Sequence, residues 1–533
     1  MNEFTSFIKY YALYFLFLPL LYAETHYRFK YFFSYLKKRE PEIIADIPSR
    51  IQRSNPLPVL LLIKDADKYP VIIKEIEIKE SNQVLFRKEV NQRISDSYRD
   101  FIYTFDSNQL KSGHHLLDVK ITYKTGEKEL FCMADNHRGT SHEPLNIYIA
   151  ADPLPRFDNC ILGETHCHTN FTSDQVEFGA SLTATASLAR AMGLHFYCAT
   201  DHSYDLDDYE DNYLINDPDL VKWEKFKEAV NKFNSGDNDI LIIPGEEVTV
   251  RNRREKNVHM LIYGSETFFP GSGDSGEKWL RTRSELSISE VVDKVLDSNL
   301  IFAAHPVEKP PFLQKLFIRR DVWHGSDCRK SGIDGIQFIN GGELKFTDDG
   351  KEFWINLLLE GHRLVGIAGN DAHGNFSRFR QVGFPFFTMR ENHFHLFGRW
   401  RTGVYIQESD INIGTILRNI KSGNCYMTNG PALQLQCFGN NKWYPMGVRC
   451  PFPSVVKLMS KSTEEFSELT NIKLILGDIE NKNELILLED LLSNTAISYK
   501  KEFPLKNLPD RGYLRMEVST KKDFHALSNP IWF

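Results

Sequence analysis

Six histidines and three carboxylates between residues 166 and 373 recur in short motifs of the kind that hold metal ions. The stretch from Gly163 to Asp174 contains His166-Cys-His168, and Asp174 follows six residues after His168. On a strand, residues two apart project from the same face, so His166 and His168 can reach one ion while Asp174, on the loop beyond, reaches a second. Farther on come Cys-Ala-Thr-Asp-His202, Ile-Pro-Gly-Glu246, Asn-Val-His259, Ala-Ala-His305-Pro and Gly-Asn-Asp371-Ala-His373. This mixed nitrogen and oxygen donor set suits zinc, manganese or iron and gives magnesium or calcium little advantage. A carboxylate such as Glu246 bridging two ions would hold them about 3.5 Å apart, and the water they share would be acidified to a hydroxide nucleophile. The chemistry expected is hydrolysis, with two or three divalent ions as cofactors.

The motifs need elements that converge them. Short apolar runs at 196–199, 240–243, 300–304, 336–339 and 364–368 read as strands buried on both faces, and nearly every candidate ligand follows one. Between them, residues 181–192, 220–233 and 288–296 have helical spacing. Strand and helix in alternation predict an α/β fold with a parallel sheet or barrel, whose functional residues gather at the C-terminal strand ends. Asp201 precedes His202 and either orients it or caps the helix that follows. His195 and His362 lack motif support and read as structural, and Cys167, on the opposite face from its neighbours, reads as a small buried hydrophobe.

A chain of 533 residues exceeds what one core serves, so several domains are expected. Residues 1–40 form an apolar and basic segment, 41–155 a β-sandwich-like domain rich in short strands and turns, 156–425 the metal-dependent unit, and 426–533 a second β-rich region. The net charge of −7 gives no broad basic surface, and no nucleic-acid partner is expected. Eight cysteines form no dense disulfide framework and suit a reducing compartment. Residues 7–23 are largely apolar and are followed by Arg28, Lys30 and Lys37 to Arg39. Three readings of this segment stay open: a buried or membrane-surface helix, a membrane anchor, and a cleaved signal. The expected location is cytoplasmic, with peripheral membrane contact through residues 7–39; secretion is the weaker alternative.

The ordered set His166-x-His168, Asp174, Asp201-His202, Pro244-Gly245-Glu246, His259, His305-Pro306 and Asp371-Ala372-His373 resembles the PHP (polymerase and histidinol phosphatase) metallohydrolase superfamily, and its flanks look most like the CehA/McbA-type branch. The resemblance spans residues 160 to 430 and implies a distorted seven-stranded β/α barrel with accessory β domains. It implies that His166, His168 and Asp371 bind a first ion, that Glu246 bridges it to a second completed by His259 and His305, and that Asp174, His202 and His373 bind a third. It implies phosphoester hydrolysis in many members and carboxyl ester or carbamate cleavage in some.

Substrate contacts are read from the arginines that follow these motifs. Arg378 and Arg380 lie just beyond Asp371-Ala-His373, and Arg251, Arg253 and Arg254 beyond Glu246; guanidinium groups there either grip a phosphate or carboxylate or stay solvated. Asn340 and Asn370, at strand ends, are candidates to position water or substrate. Gly271-Ser-Gly-Asp-Ser-Gly276 reads as a rim loop, since no P-loop lysine follows it. The leading expectation is a hydrolase of small-molecule phosphate mono- or diesters, with Glu246, His202, Arg378 and Arg380 serving the chemistry. Carboxyl ester or carbamate hydrolysis and a catalytically weak binding or scaffold role are the alternatives.

Overall fold

A computed structural model of the chain describes residues 40–533 apart from 137–142, 173–178, 211, 274–281, 311–314, 317, 330–331, 342–343, 379–380, 385–386, 391–394, 409 and 493–495. Asp174, Arg380 and the apolar segment at 7–23 therefore lie outside the described residues. No described helix is long and apolar enough to cross a membrane.

The sheet that carries the candidate ligands is mixed, and this corrects the expected alternating β/α barrel. Among the described residues strand accounts for 46% and seven helices for 14%. Parallel pairing joins Cys160–His168 to Phe196–Ala199 and Phe196–Ala199 to Leu241–Arg251. It also joins Leu300–Ala304 to Gly335–Asn340 and Gly335–Asn340 to Val365–Gly369. Between these two sets the direction reverses, because Leu241–Arg251 turns straight back into Asn257–Tyr263, which then runs antiparallel to Leu300–Ala304. The link at 252–256 is too short for the dozen or so residues that a parallel crossover requires. The apolar run around His259 is thus a strand in its own right.

Helices form in the three stretches whose spacing predicts them, the last over five residues only, while Leu344–Leu359 is a further helix that the spacing did not announce. Leu182–Met192 is capped by Ser181, whose side chain accepts from Ala184 N, and ends at Gly193 in the left-handed region. Val221–Asn234 buries Trp223, Phe226 and Val230 along one face. Ile288–Val292 starts at a capping box made by Ser287 and Glu290.

On its other side Cys160–His168 pairs antiparallel with Arg401–Tyr405, and the sheet continues through Cys425–Thr428 into His525–Ser528, Gly512–Thr520, Leu469–Asp478 and Asn483–Leu491. The C-terminal strands therefore extend the site-bearing sheet. A four-stranded sheet built on Ala432–Gly439 and Pro453–Lys461 shares their core, through Leu435, Leu458, Leu474 and Met516. The acidic stretch at 477–487 includes the end of strand Leu469–Asp478 and the start of strand Asn483–Leu491, whose apolar side chains lie partly exposed on the sheet's end strand.

Near the N-terminus, Glu42–Asp46, Leu57–Lys64 and Tyr98–Phe105 form one sheet, and Arg50–Gln52, Leu145–Ala150, Gly113–Thr125, Val71–Glu80, Gln83–Ile94 and Lys128–Met133 form another. Ile43, Val59, Leu61 and Ile63 of the first meet Ile76, Ile78, Val119, Ile121 and Ile147 of the second in one core. This pair of sheets also grips the loops beside the candidate ligands. Asp46 accepts hydrogen bonds from the backbone N–H groups of Phe376 and Arg378 at 2.8 and 2.9 Å. Tyr98 Oη donates to Gly179 O at 3.1 Å, and Asp100 accepts from Ser181 N at 2.9 Å.

Candidate metal centre

Strand parity brings the ligands together. His166 and His168 share a face of their strand, while Cys167 turns away and directs its thiol to Cys198 O at 3.2 Å. In the hairpin, Thr249 stands opposite His259, so Glu247, two residues before Thr249, lies diagonally on the same face as His259. Glu246 points to the other face. There its carboxyl accepts from Ser203 Oγ at 3.0 Å and Phe269 N at 3.2 Å, and burial pushes it up to about 8. Glu246, expected as the bridging carboxylate, thus lies outside the donor groups, and Glu247 is the glutamate that belongs to them.

Five imidazoles surround Glu247. Its Oε1 lies 2.7 Å from His259 Nδ1, 3.1 Å from His305 Nε2 and 3.5 Å from His166 Nε2. Its Oε2 lies 3.1 Å from His202 Nδ1 and 3.4 Å from His168 Nε2. Asp371 Oδ1 approaches His168 Nε2 at 3.1 Å and His166 Nε2 at 3.4 Å. Three groups are placed to chelate divalent metal: His166, His168, Glu247 and Asp371; Glu247, His259 and His305; and His168, His202 and His373. Glu247 belongs to two of them. Of the predicted ligands, seven others fall in these groups, Glu246 does not, and Asp174 is outside the described residues.

The surroundings orient the rings. His166 Nδ1–H donates to Gln337 Oε1 at 2.8 Å, which turns Nε2 toward the cluster. His168 Nδ1 sits 3.3 Å from Thr172 Oγ1, and His373 Nδ1–H donates to Asp371 O at 3.1 Å. Asp201 neither caps a helix nor takes the second N–H of His202. It accepts from Thr169 N and Thr169 Oγ1, both at 2.7 Å, and from Thr172 N at 2.9 Å, fixing the turn after His168. Glu164, fully buried, accepts from His166 N and Asn370 N at 3.0 Å and from Gly398 N at 2.9 Å. Asn370 also donates its side-chain amide to Glu164 and so serves the frame, while Asn340 Nδ2 reaches Asp371 Oδ2 at 3.4 Å.

Backbone geometry adds its own constraint. Asp371 and His305 have φ of 54° and 29°, in the left-handed region that side-chain-bearing residues seldom enter. At Gly369 a Cβ would stand 2.7 Å from His166 Cβ and 2.9 Å from His166 N, so only glycine lets the end of that strand come so close.

The electrostatics fit a cation. Burial alone would raise Glu247, but His259, His166 and His202 hold its carboxyl well below the usual range. Burial opposes protonation of His166, yet Asp371 and Glu247 carry it up to about 9. Burial, then His373 and His202, drive His168 well below its ordinary value. Stacked rings such as His168 and His373, 4.1 Å apart, cannot both be charged, and their lone pairs converge. His166 Nε2 and Glu247 Oε2 are buried without a hydrogen-bond partner. A divalent ion would satisfy both, so the donor set fits the metal it implies. Asp371, at 20% side-chain exposure, marks the side open to solvent.

The arginines are placed otherwise than expected. Arg378 pairs with buried Asp135 in the N-terminal sheets, which removes it from the substrate-gripping role. Arg251 donates to Ser284 O and Glu285 O and pairs with Glu290, bracing the segment at 284–290. Arg253 and Arg254 sit in the turn before Asn257. In the rim loop, Ser272 N donates to Glu285 at 2.8 Å. His195 accepts from Leu162 N at 3.3 Å and is a structural residue, as read from the sequence. Sequence reasoning missed Glu247, Gln337 and Thr172. Recognising residues 257–263 as the return strand of a hairpin would have separated Glu247 from Glu246 by parity.

No family model matches the chain, and no curated protein matches it. Among solved structures, it is similar at 8% identity to the β-D-mannosidase from Dictyoglomus thermophilum, covering 91% of this chain and 66% of that one with a TM-score of 0.24. A calcium-binding mutant of Bacteroides uniformis β-glucuronidase 2 matches at 11% identity, with 92% and 60% coverage and a TM-score of 0.19. The Parabacteroides merdae β-glucuronidase matches at 9%, with 93% and 64% coverage and a TM-score of 0.17. The chain spans under two thirds of the length of each of these proteins. At such TM-scores the likeness carries no argument about fold or chemistry. The resemblance to the PHP superfamily and its CehA/McbA-type branch is not upheld, since no family model matches the chain and the sheet departs from the alternating β/α barrel that the resemblance implies.

Proposed function

We propose that this protein is a metal-dependent hydrolase acting on phosphate mono- or diesters. The observation that carries the reading is Glu247, a buried carboxylate shared by two donor groups and faced by five imidazoles, with Asp371 beside them. The donors suit two or three ions of zinc, manganese or iron. Such ions, when bound, supply charge that polarises the scissile group and make water acidic enough to lose its proton near neutral pH.

The chain's own residues set the geometry for that chemistry. Glu247 spans the groups, Gln337 fixes the tautomer of His166, and Asp201 holds the turn on which Thr172 meets His168. Asp371 and His373 lie toward solvent, where a substrate would enter, while His166, His168 and Glu247 are shielded from bulk water. Low local polarity there strengthens each electrostatic contact with a developing negative charge.

Metal analysis of the purified chain, followed by parallel assays of aryl phosphate, bis-aryl phosphate, aryl ester and aryl carbamate, tests the reading. Bound transition metal and turnover of a phosphate substrate are expected. Preference for the ester or carbamate would reassign the substrate class, and absence of metal would remove the proposed chemistry.

A further inference from the structure

One face of the N-terminal sheets is turned toward the metal centre. In strand Glu42–Asp46, Ile43 and Ala45 enter the core between the two N-terminal sheets, so Ile44 and Asp46 project from the opposite face. Strand Leu57–Lys64 divides in the same way. Val59, Leu61 and Ile63 enter that core, while Leu60 joins the core of the metal-bearing unit and Leu62 faces with it. Pairing sets Ile44 beside Leu62 and Asp46 beside Leu60, so the four side chains make one patch. Asp100, opposite Leu62 on the next strand, extends it.

The patch lies against the loops that flank the donors. Asp46 accepts from the N–H groups of Phe376, Ser377 and Arg378, just past His373, and Asp100 accepts from Ser181 N. Between patch and loops runs a cleft lined by Ile44, Leu60 and Leu62 on one side and by Gly179, His373 and Asn375 on the other. Its two charged neighbours are committed, Asp46 to those backbone N–H groups and Arg378 to Asp135. His373 belongs both to the cleft and to the donor group it forms with His168 and His202. A ligand held at that group therefore has an apolar wall within reach, at a boundary between domains, where binding clefts commonly form.

Resting on the hydrolase reading, we infer that this cleft receives the organic group of the phosphate ester, and that Ile44 and Leu62 of the N-terminal sheets select an apolar group over a polar one. An alkyl chain gains by leaving water against this wall. A hydroxyl there loses its water and finds no partner on Ile44, Leu60 or Leu62.

Steady-state hydrolysis of butyl, glycerol and methyl phosphate by the metal-loaded full chain, alongside metal content, tests this in the wild type and in Leu62→Phe, Leu62→Met and Ile44→Ala. The wild type should favour butyl over glycerol phosphate in kcat/KM by about 10–100-fold, the range over which an apolar pocket discriminates. Leu62→Phe, which fills the cleft, should abolish that preference by raising KM for butyl phosphate, while methyl phosphate, too short to need the wall, keeps its kcat. Leu62→Met, of similar volume, should retain the preference. Ile44→Ala, at a rim position 7% exposed, should lose about 10-fold on butyl phosphate alone, and it carries the test should Leu62→Phe not fold. No preference in the wild type, or equal losses on butyl and methyl phosphate in the variants, would overturn the inference and leave the hydrolase reading intact. Loss of metal in both Leu62→Phe and Ile44→Ala would overturn it too, by making the wall a support for the loops. Failure of the wild type to take up metal or to turn over any phosphate ester would defeat the hydrolase reading and the inference with it.

Discussion

Adjacent glutamates with opposite fates offer a sharp test of the metal centre. Glu247→Gln keeps the shape of a side chain within 3.5 Å of five imidazoles but removes its charge. Because Glu247 belongs to two donor groups, both lose their shared ligand. Loss of a mere outer-shell partner costs ~10–100-fold in affinity, and a direct ligand should cost more than that at each group. Bound metal should fall to the His168, His202 and His373 group or vanish. Glu246→Gln should behave in the opposite way. Its carboxyl is raised by burial to about 8 from an ordinary 4.5, so the folded state holds a proton that the unfolded chain releases. Stability from this group is then complete below 4.5 and declines as pH rises toward 8, at ~1.4 kcal/mol per pH unit, or ~3 kcal/mol by pH 7. Glutamine has no charge to exclude and can still accept from Ser203 and Phe269. Denaturant unfolding of both variants and wild type with chelator, from pH 4.5 to 8, should show Glu246→Gln matching wild type at the acid end and exceeding it by up to ~3 kcal/mol at neutral pH. Metal analysis should find the Glu246→Gln content unchanged. If Glu246→Gln loses metal while Glu247→Gln retains it, the parity argument is wrong.

Other consequences are checked as directly. Gln337→Ala frees the His166 tautomer and should weaken metal binding ~10–100-fold in competition with a chromophoric chelator. Arg378→Ala removes the charged hydrogen bond to buried Asp135, and should lower stability by ~1–3 kcal/mol in denaturant unfolding while metal content stays at the wild-type level. Asp201→Ala removes three hydrogen bonds from the turn at 169–172; it should lower stability by ~1–3 kcal/mol and broaden the His168 and His202 resonances in NMR spectra of the protein without metal.

Much of the site was legible in the chain because its information is local. His166 and His168 share a face by the two-residue repeat of a strand, and Asp371 and His373 sit just beyond an apolar run as such ligands should. The helices at 182–192 and 221–234 followed from the helical spacing of residues 181–192 and 220–233. Choosing between Glu246 and Glu247 needed a pairing register, because each is a carboxylate at a strand position and only the partner strand decides which face meets His259. The same hairpin turned an expected α/β alternation into a mixed sheet, and the C-terminal strands joined that sheet because its end at Arg401–Tyr405 offered unpaired backbone to Cys425–Thr428. Long-range partners settled the arginines. A guanidinium's role depends on which acceptor lies within about 3 Å, and Asp135 for Arg378 is 243 residues away in sequence. Residue types and short spacings thus determined which chemistry this chain can assemble; the tertiary structure decided which copy of each type takes part, because only folding sets distances between residues far apart along the chain.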